Sequence, residues 1–356
     1  MKKDFIRFSI VAILVTALAL YFNSLSIEKR KTLMDDKDNN LSTSVSNLNS
    51  YEKNNAVVAE GIYFNPVLNS DGSKLLFGNG DNIYEMQLSS NETNQLTKIG
   101  GCYNPSYSKD DELITFARSN GIYILDRKSN EIKKVISSED PQKTFAKPNF
   151  TPDGDIIYFS VTVLPGPEGH GFVEKEPGVY KISKDGKNNE NIIEGYNPSL
   201  SNDGIKLAYE LKEKIYTLNL QTKENKLIDI GKYAAWSPDS NYISYTKFEK
   251  QTSAYKKGLW HKNLYLDKDY SNVWIANISN NKKIKVTKEE FEDKDSEIKE
   301  WAKEAIKFNM EQHFLVPSKQ SFFDSTWGKN SDELYALRYS SKTSNFELVR
   351  YNINFK

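Results

Sequence analysis

The stretch Trp236-Ser237-Pro238-Asp239-Ser240-Asn241-Tyr242-Ile243-Ser244-Tyr245 decides the fold. An aromatic residue opens it, an Asp follows after two polar positions, and an alternating apolar segment closes on a second aromatic. The same phrase runs Leu68 to Asp71-Gly72 to Phe77, Tyr107 to Asp110 to Phe116, Phe150 to Asp153-Gly154 to Phe159, and Leu200 to Asp203-Gly204 to Tyr209. A weaker sixth copy runs Trp327 to Asn330 to Ala336, and the distance from opening to closing residue is the same in all six. Each copy continues with a second alternating segment: Ile83-Tyr84, Ile122-Tyr123, Val179-Tyr180, Ile215-Tyr216, Val273-Trp274 and, more weakly, Phe346-Glu347-Leu348. Five copies add a third, such as Lys134-Val135-Ile136 and Lys226-Leu227-Ile228. Alternation of period two is the mark of a half-buried strand. Counting the strand that leads into the Asp turn, each repeat holds four short strands, and four-stranded repeats of this length read as propeller blades.

The last copy ends before its fourth strand. Ala56-Val57-Val58-Ala59, ahead of the first Asp turn, has the character to supply it. Closure by a strand from the opposite terminus removes exposed sheet edges. The expectation is therefore an all-β chain: a six-bladed β-propeller of four-stranded blades over residues 56–356, closed by an N-terminal strand, with one inserted helix near 288–313.

The WD-like phrase Trp236-Ser237-Pro238-Asp239, followed by an alternating strand and then Ile-Tyr, resembles the TolB-like propeller repeat. The resemblance covers nearly all of residues 56–356. It implies a six-bladed ring, also found as the non-catalytic part of prolyl oligopeptidases. The chain lacks the extra α/β domain of TolB and the hydrolase domain of the peptidases, so the resemblance speaks for fold and leaves function open.

Composition narrows the function. The 356 residues carry 48 Lys+Arg against 48 Asp+Glu, a formal net charge of zero, which speaks against a nucleic-acid partner. At 38% hydrophobic residues there is enough apolar matter for a core. The single cysteine, Cys102, excludes an internal disulfide framework and a Cys-rich zinc site. Lys2, Lys3 and Arg7 precede an apolar run from Phe8 to Phe22, the pattern of an export segment. Residues 1–27 are thus an export signal or a membrane anchor, spanning through 6–27 if uncleaved, with Ser24-Leu25-Ser26 as a cleavage site. Residues 28–55 are too polar to fold alone and read as a disordered tether. Everything beyond faces the extracytoplasmic side, tethered or secreted, as a bacterial cell-envelope protein.

Asp71, Asp110, Asp153, Asp203 and Asp239 are read as structural turn residues, because Asp caps tight turns through nearby backbone amides. Strand parity places four long insertions on one face: 137–146, 162–178, 247–271 and 288–323. Loops of such length are usually functional. Within them His170, Tyr255, Trp260, His261, Tyr265 and Trp301 are the candidate ligand or partner contacts. Tyr255, Trp260, His261 and Tyr265 interleave with lysines, a combination that stacks on sugars, aromatic groups or anions; the same loop could instead fold onto its own rim. Ile298, Trp301, Ala302, Ala305 and Met310 recur at helical spacing, with Thr287–Glu290 or Ser296 as starts. That helix either docks on the ring or binds a partner.

No nucleophile elbow, zinc-peptidase motif or phosphate loop is present, and three histidines at unrelated spacings make no metal site. No catalytic residue, metal or cofactor is assigned. The reading is a membrane-tethered, non-enzymatic module that binds a protein, peptide or envelope polymer. The alternative is a glycan-processing hydrolase or lyase using carboxylates around the central channel.

Overall fold

The computed structural model describes residues 55–61, 63–167, 170–255, 264–307 and 312–355. Two units are compact in themselves: among the described residues, those of 55–163 and 174–355 form one, and those of 164–173 belong to the other. The first is the ring. In the second, described by itself, Gly166 N donates to Gly171 O at 3.0 Å and His170 N to Pro167 O at 3.1 Å.

Six antiparallel sheets form six blades. Their first strands are Phe64–Leu68, Tyr103–Tyr107, Lys143–Phe150, Tyr196–Leu200, Lys232–Trp236 and Gln320–Trp327. These strands touch one another in sequence around a closed circle, so they are the innermost of each blade. The expected closure is present. Asn55–Glu60 pairs antiparallel with Asn345–Asn352, with Val57 opposite Val349, as the fourth strand of blade six.

The repeated phrase now has a physical meaning. The closing aromatic of the second strand and the aromatic of the third are register partners: Phe77 opposite Tyr84, Phe116 opposite Tyr123, Tyr209 opposite Tyr216, Tyr245 opposite Trp274. The first three pairs stack with ring centroids 5.5–5.8 Å apart. Such pairs add about 0.5–1.5 kcal/mol each beyond area burial. The apolar residues between blades form six separate cores, one per junction, including that between blades six and one around Tyr63, Leu75, Tyr335 and Leu348. Cys102 is fully buried in the core between blades one and two, and burial pushes its thiol up from the ordinary value.

The Asp turns share one hydrogen-bond pattern. Ser201 Oγ donates to Asp203 Oδ1 at 2.6 Å and accepts from Lys206 N at 2.8 Å, while Asp203 Oδ1 accepts from Ile205 N at 2.9 Å. Ser108 with Asp110 and Ser237 with Asp239 repeat it, Thr151 donates to Asp153, and Asp71 Oδ1 accepts from Ser73 N at 2.8 Å. The residue after each Asp lies in the left-handed region, at φ 73–87° for Gly72, Gly154 and Gly204 and at 60° and 57° for Asp111 and Ser240. Glycine is favoured there for lack of a Cβ.

The long insertions lie largely in strands. The inner strand of blade three starts at Lys143, which leaves only 138–142 as its link. In blade five, Tyr242–Ala254 and Leu264–Asn277 stay paired from Tyr242–Asn277 to Ala254–Tyr265. Polar residues occupy both faces of this extension, so apolar alternation does not betray it. The fifth link holds helix α1, Asp295–Lys307, and the short strand Gln312–Leu315. The helix begins at Asp295. Thr287 does not cap it, because its hydroxyl accepts from Val273 N at 2.9 Å, as Thr97 accepts from Ile83 N in blade one.

Candidate functional site

Turns that carry Asp lie beside the turns joining strands three and four: Leu88 N donates to Ser73 O at 2.9 Å. The blade links lie beside the turns joining strands two and three: Cys102 N donates to Asp81 O at 2.8 Å, and Val316 N to Asp267 O at 2.8 Å. The extension of blade five, the link 138–142 and the helical link therefore share one face of the ring. The Asp turns occupy the other.

The channel runs from the Asp turns, where Ser70, Lys109, Asp203 and Asp239 line it, to six equivalent positions at its end nearest the elaborated face: Asn65, Asn104, Lys147, Asn197, Tyr233 and Asp324. The channel encloses about 720 Å³. A bulge interrupts every inner strand here, and five of the six residues stand at φ 47–60°. Asn tolerates that region and Lys or Tyr less so, so the backbone is held by its surroundings. A chain of hydrogen bonds runs around the rim. Asn65 Nδ2 donates to Asp324 Oδ2 at 2.6 Å, Asn104 Nδ2 donates to Asn65 Oδ1 at 2.5 Å, and Lys147 N donates to Asn104 Oδ1 at 3.2 Å. Lys147 Nζ returns to Asp324 Oδ1 at 3.5 Å and lies 5.9 Å from the Tyr233 ring centre.

Behind this rim sits Glu210, buried in the second strand of blade four, accepting from Tyr233 N at 2.6 Å. Burial pushes its carboxyl up to about 7, partly opposed by hydrogen bonds from Tyr233 N and Asn197 and by the charges of Lys232 and Lys147. Below the rim the wall is small and neutral, with Val67, Ser106, Ser199, Ala235 and Thr326. The rim thus combines three amides, one tyrosine and one ion pair. It presents hydrogen-bond donors and acceptors, and no side chain there is a nucleophile paired with a base.

Sequence reasoning missed this rim, although a signal was available. Asn65-Pro66, Asn104-Pro105, Lys147-Pro148 and Asn197-Pro198 each begin six residues before the Asp of their turn. Proline lacks the amide that a continuous ladder needs, so its recurrence at one position marks a bulge.

The sequence-assigned contacts are only partly together. Tyr255 packs against the cluster of Leu264, Ile298, Ala302, Phe314 and Val316, through which α1 docks on the blade-five extension. Tyr265 stacks on His313 with centroids 4.8 Å apart, and Asp267 Oδ2 faces His313 Nδ1 at 3.1 Å. Trp301 stacks on Phe314 at 5.9 Å yet remains 56% exposed. His170 is exposed and belongs to the separate small unit. Trp260, His261, Met310 and the export segment lie outside the described residues. Among the described residues no cluster of three His, Cys, Asp or Glu forms a metal site, and no helix is long and apolar enough to cross a membrane.

No model of a known protein family matches the chain, and no curated protein sequence resembles it. Solved structures do. A gluconolactonase from Xanthomonas campestris aligns with a TM-score of 0.53 at 8% identity, over 84% of this chain and 89% of its own. A luciferin-regenerating enzyme aligns at 0.51 and 11% identity, over 85% and 93%. A protein described as a TolB from Agrobacterium tumefaciens aligns at 0.48 and 12% identity, over 64% and 81%. At such identities the likeness shows the fold alone: the chain is a β-propeller, the architecture that its TolB-like repeats imply.

Proposed function

We propose that the protein is an extracytoplasmic propeller that binds a protein, a peptide or a cell-envelope polymer on its elaborated face. One observation carries this reading: the blade-five extension, α1 with its exposed Trp301 and the link 138–142 all rise on one face of the ring, above the polar rim that ends the channel there. The opposite face consists of tight turns. Asn55 pairs with Tyr351 at that turn face.

The channel carboxylates give less support to glycan hydrolysis. Asp324 is paired with Lys147, and Asp203 and Asp239 are engaged in their turns. Hydrolysis needs one carboxylic acid and one carboxylate flanking a substrate.

Capture from envelope extracts tests the reading. The wild-type chain is compared with a variant in which Phe248–Tyr270 is replaced by a two-residue turn and with Lys147→Glu. Loss of the captured component in either variant is expected. Identical recovery by all three proteins would refute the assignment of the face, and release of reducing ends from envelope glycan would favour the enzyme.

A further inference from the structure

The channel is closed at one end. Lys147 belongs to blade three and Asp324 to blade six, which stand opposite one another in the ring, so their ion pair at 3.5 Å spans the axis. Asn65 of blade one adds its bond to Asp324, and Asn104 of blade two adds its bond to Asn65. Among the described residues nothing ahead of this rim lines the cavity. At the other end the lining reaches the fifth residue after each rim position: Ser70, Lys109, Pro152, Asn202, Pro238 and Lys329. All but Pro238 are exposed, whereas every rim residue is half-buried. The cavity is therefore a cup with the rim as its floor and the Asp turns as its entrance, on the face away from the blade-five extension.

The chemistry of the cup changes with depth. The second residue after each rim position forms the wall: Val67, Ser106, Asn149, Ser199, Ala235 and Thr326, none of them charged. Trp236 Nε1 donates to Ser199 O at 2.9 Å and Trp327 Nε1 to Ala235 O, which holds two of these positions in place. The hydroxyls of Ser106, Ser199 and Thr326 make no hydrogen bond with the described residues. Each of these groups can give one proton and accept two. Thr326 is only 9% exposed, so its hydroxyl is withheld from bulk water and turned to the cup. On the floor the cation and the anion already neutralise each other. Other charges that line the cavity, such as Lys109, Lys329 and Asp239, stand exposed at the entrance, where water and salt screen them. A charged ligand at depth would give up its hydration without an opposite charge to meet it.

From this we infer that the cup binds a small, neutral, polyhydroxylated molecule of the sugar class, which enters from the Asp-turn face and rests on the Lys147–Asp324 floor. Its hydroxyls exchange hydrogen bonds with Ser106, Ser199 and Thr326. The volume of about 720 Å³ falls within the ~300–1,000 Å³ of ordinary ligand clefts. This site is separate from the elaborated face and does not depend on it.

The test uses the full chain and four probes: glucose and N-acetylglucosamine, which are neutral, gluconate, which is an anion, and glucosamine, which is a cation. Trp236 and Trp327 line the cavity, so tryptophan fluorescence follows each titration. Saturable binding of a neutral sugar is expected, with both charged probes weaker. Thr326→Val and Ser199→Ala each remove one hydroxyl and should weaken binding about tenfold, as the loss of one net hydrogen bond implies. The comparison of probes needs no variant, so it stands even if Thr326→Val fails to fold. The variant that lacks Phe248–Tyr270 should bind the sugar as wild type does, whatever its envelope capture. Absence of saturable binding by either neutral sugar, tighter binding of gluconate or glucosamine, or unchanged binding by folded Thr326→Val and Ser199→Ala would each overturn the sugar cup. Loss of sugar binding in the folded Phe248–Tyr270 variant would overturn it too, by moving the site to the elaborated face.

Discussion

Glu210 offers a stability test worked from the rim itself. Its carboxyl is buried, bonded to Tyr233 N, and pushed by burial from the ordinary 4.5 up to about 7. Between these values the native state keeps a proton that the unfolded chain releases. Stability therefore falls as pH rises through that window, and the loss is complete above about pH 7. At about 1.4 kcal/mol for each tenfold change, the ceiling is about 3 kcal/mol. Glu210→Gln keeps an oxygen to accept from Tyr233 N and removes the titration. Urea unfolding followed by tryptophan fluorescence at pH 4.5, 6 and 8 should show no advantage for the variant at the lowest pH. At pH 8 it should gain about 2–3 kcal/mol, or about 5 °C in melting temperature for a domain of this size. A variant that is less stable than wild type at pH 8, or one that keeps the wild-type slope between pH 4.5 and 7, would refute the buried-carboxyl account.

Three further outcomes are expected. Trp327 Nε1 donates to Ala235 O at 3.0 Å across the junction of blades five and six; Trp327→Phe leaves that carbonyl only the longer bond from Ser244 Oγ, at 3.4 Å, and should cost about 1–2 kcal/mol in denaturant unfolding, against under about 0.5 for exposed Trp301→Phe. Leu348, fully buried opposite Ala59 in the closing blade, should cost about 2–5 kcal/mol as Leu348→Ala; a neutral result would mean that the ring is not shut there. Hydrogen bonds from Ser73, Ser108 and Thr151 hold Asp71, Asp110 and Asp153 below the ordinary carboxylate range. Their contribution is present above that range and lost as pH falls through the depressed values, so Asp110→Asn should flatten the acid limb of a melting-temperature profile, and an unchanged limb would count against the turn bonds.

The ring was legible because each blade repeats one packing event. In blades one, two, four and five an aromatic of the second strand meets an aromatic of the third, and burial on both sides of the blade forces the alternation that a sequence displays. The closing strand was legible from its apolar residues: Val57 and Ala59 lie opposite Val349 and Leu348. The blade-five extension was not, because Lys250, Thr252 and Ser253 face solvent and only backbone pairing makes them a strand. The channel rim was hidden differently. Its residues come from six places in the chain and vary from Asn to Lys to Tyr to Asp, so only the proline after four of them is constant. The site is defined by backbone geometry rather than by residue type.

The pairing of Asn55–Glu60 with Asn345–Asn352 joins segments nearly 300 residues apart. At a synthesis rate of about 5–20 residues per second, the first strand made waits about 15–60 s for its partner. Throughout that interval the flank of blade one around Tyr63, Leu75 and Met86 has no sixth neighbour to cover it. Five blades can form as they emerge, yet the circle completes only when the final hairpin arrives. A ribosome stalled before residue 345 therefore leaves an open arc with a sticky first blade.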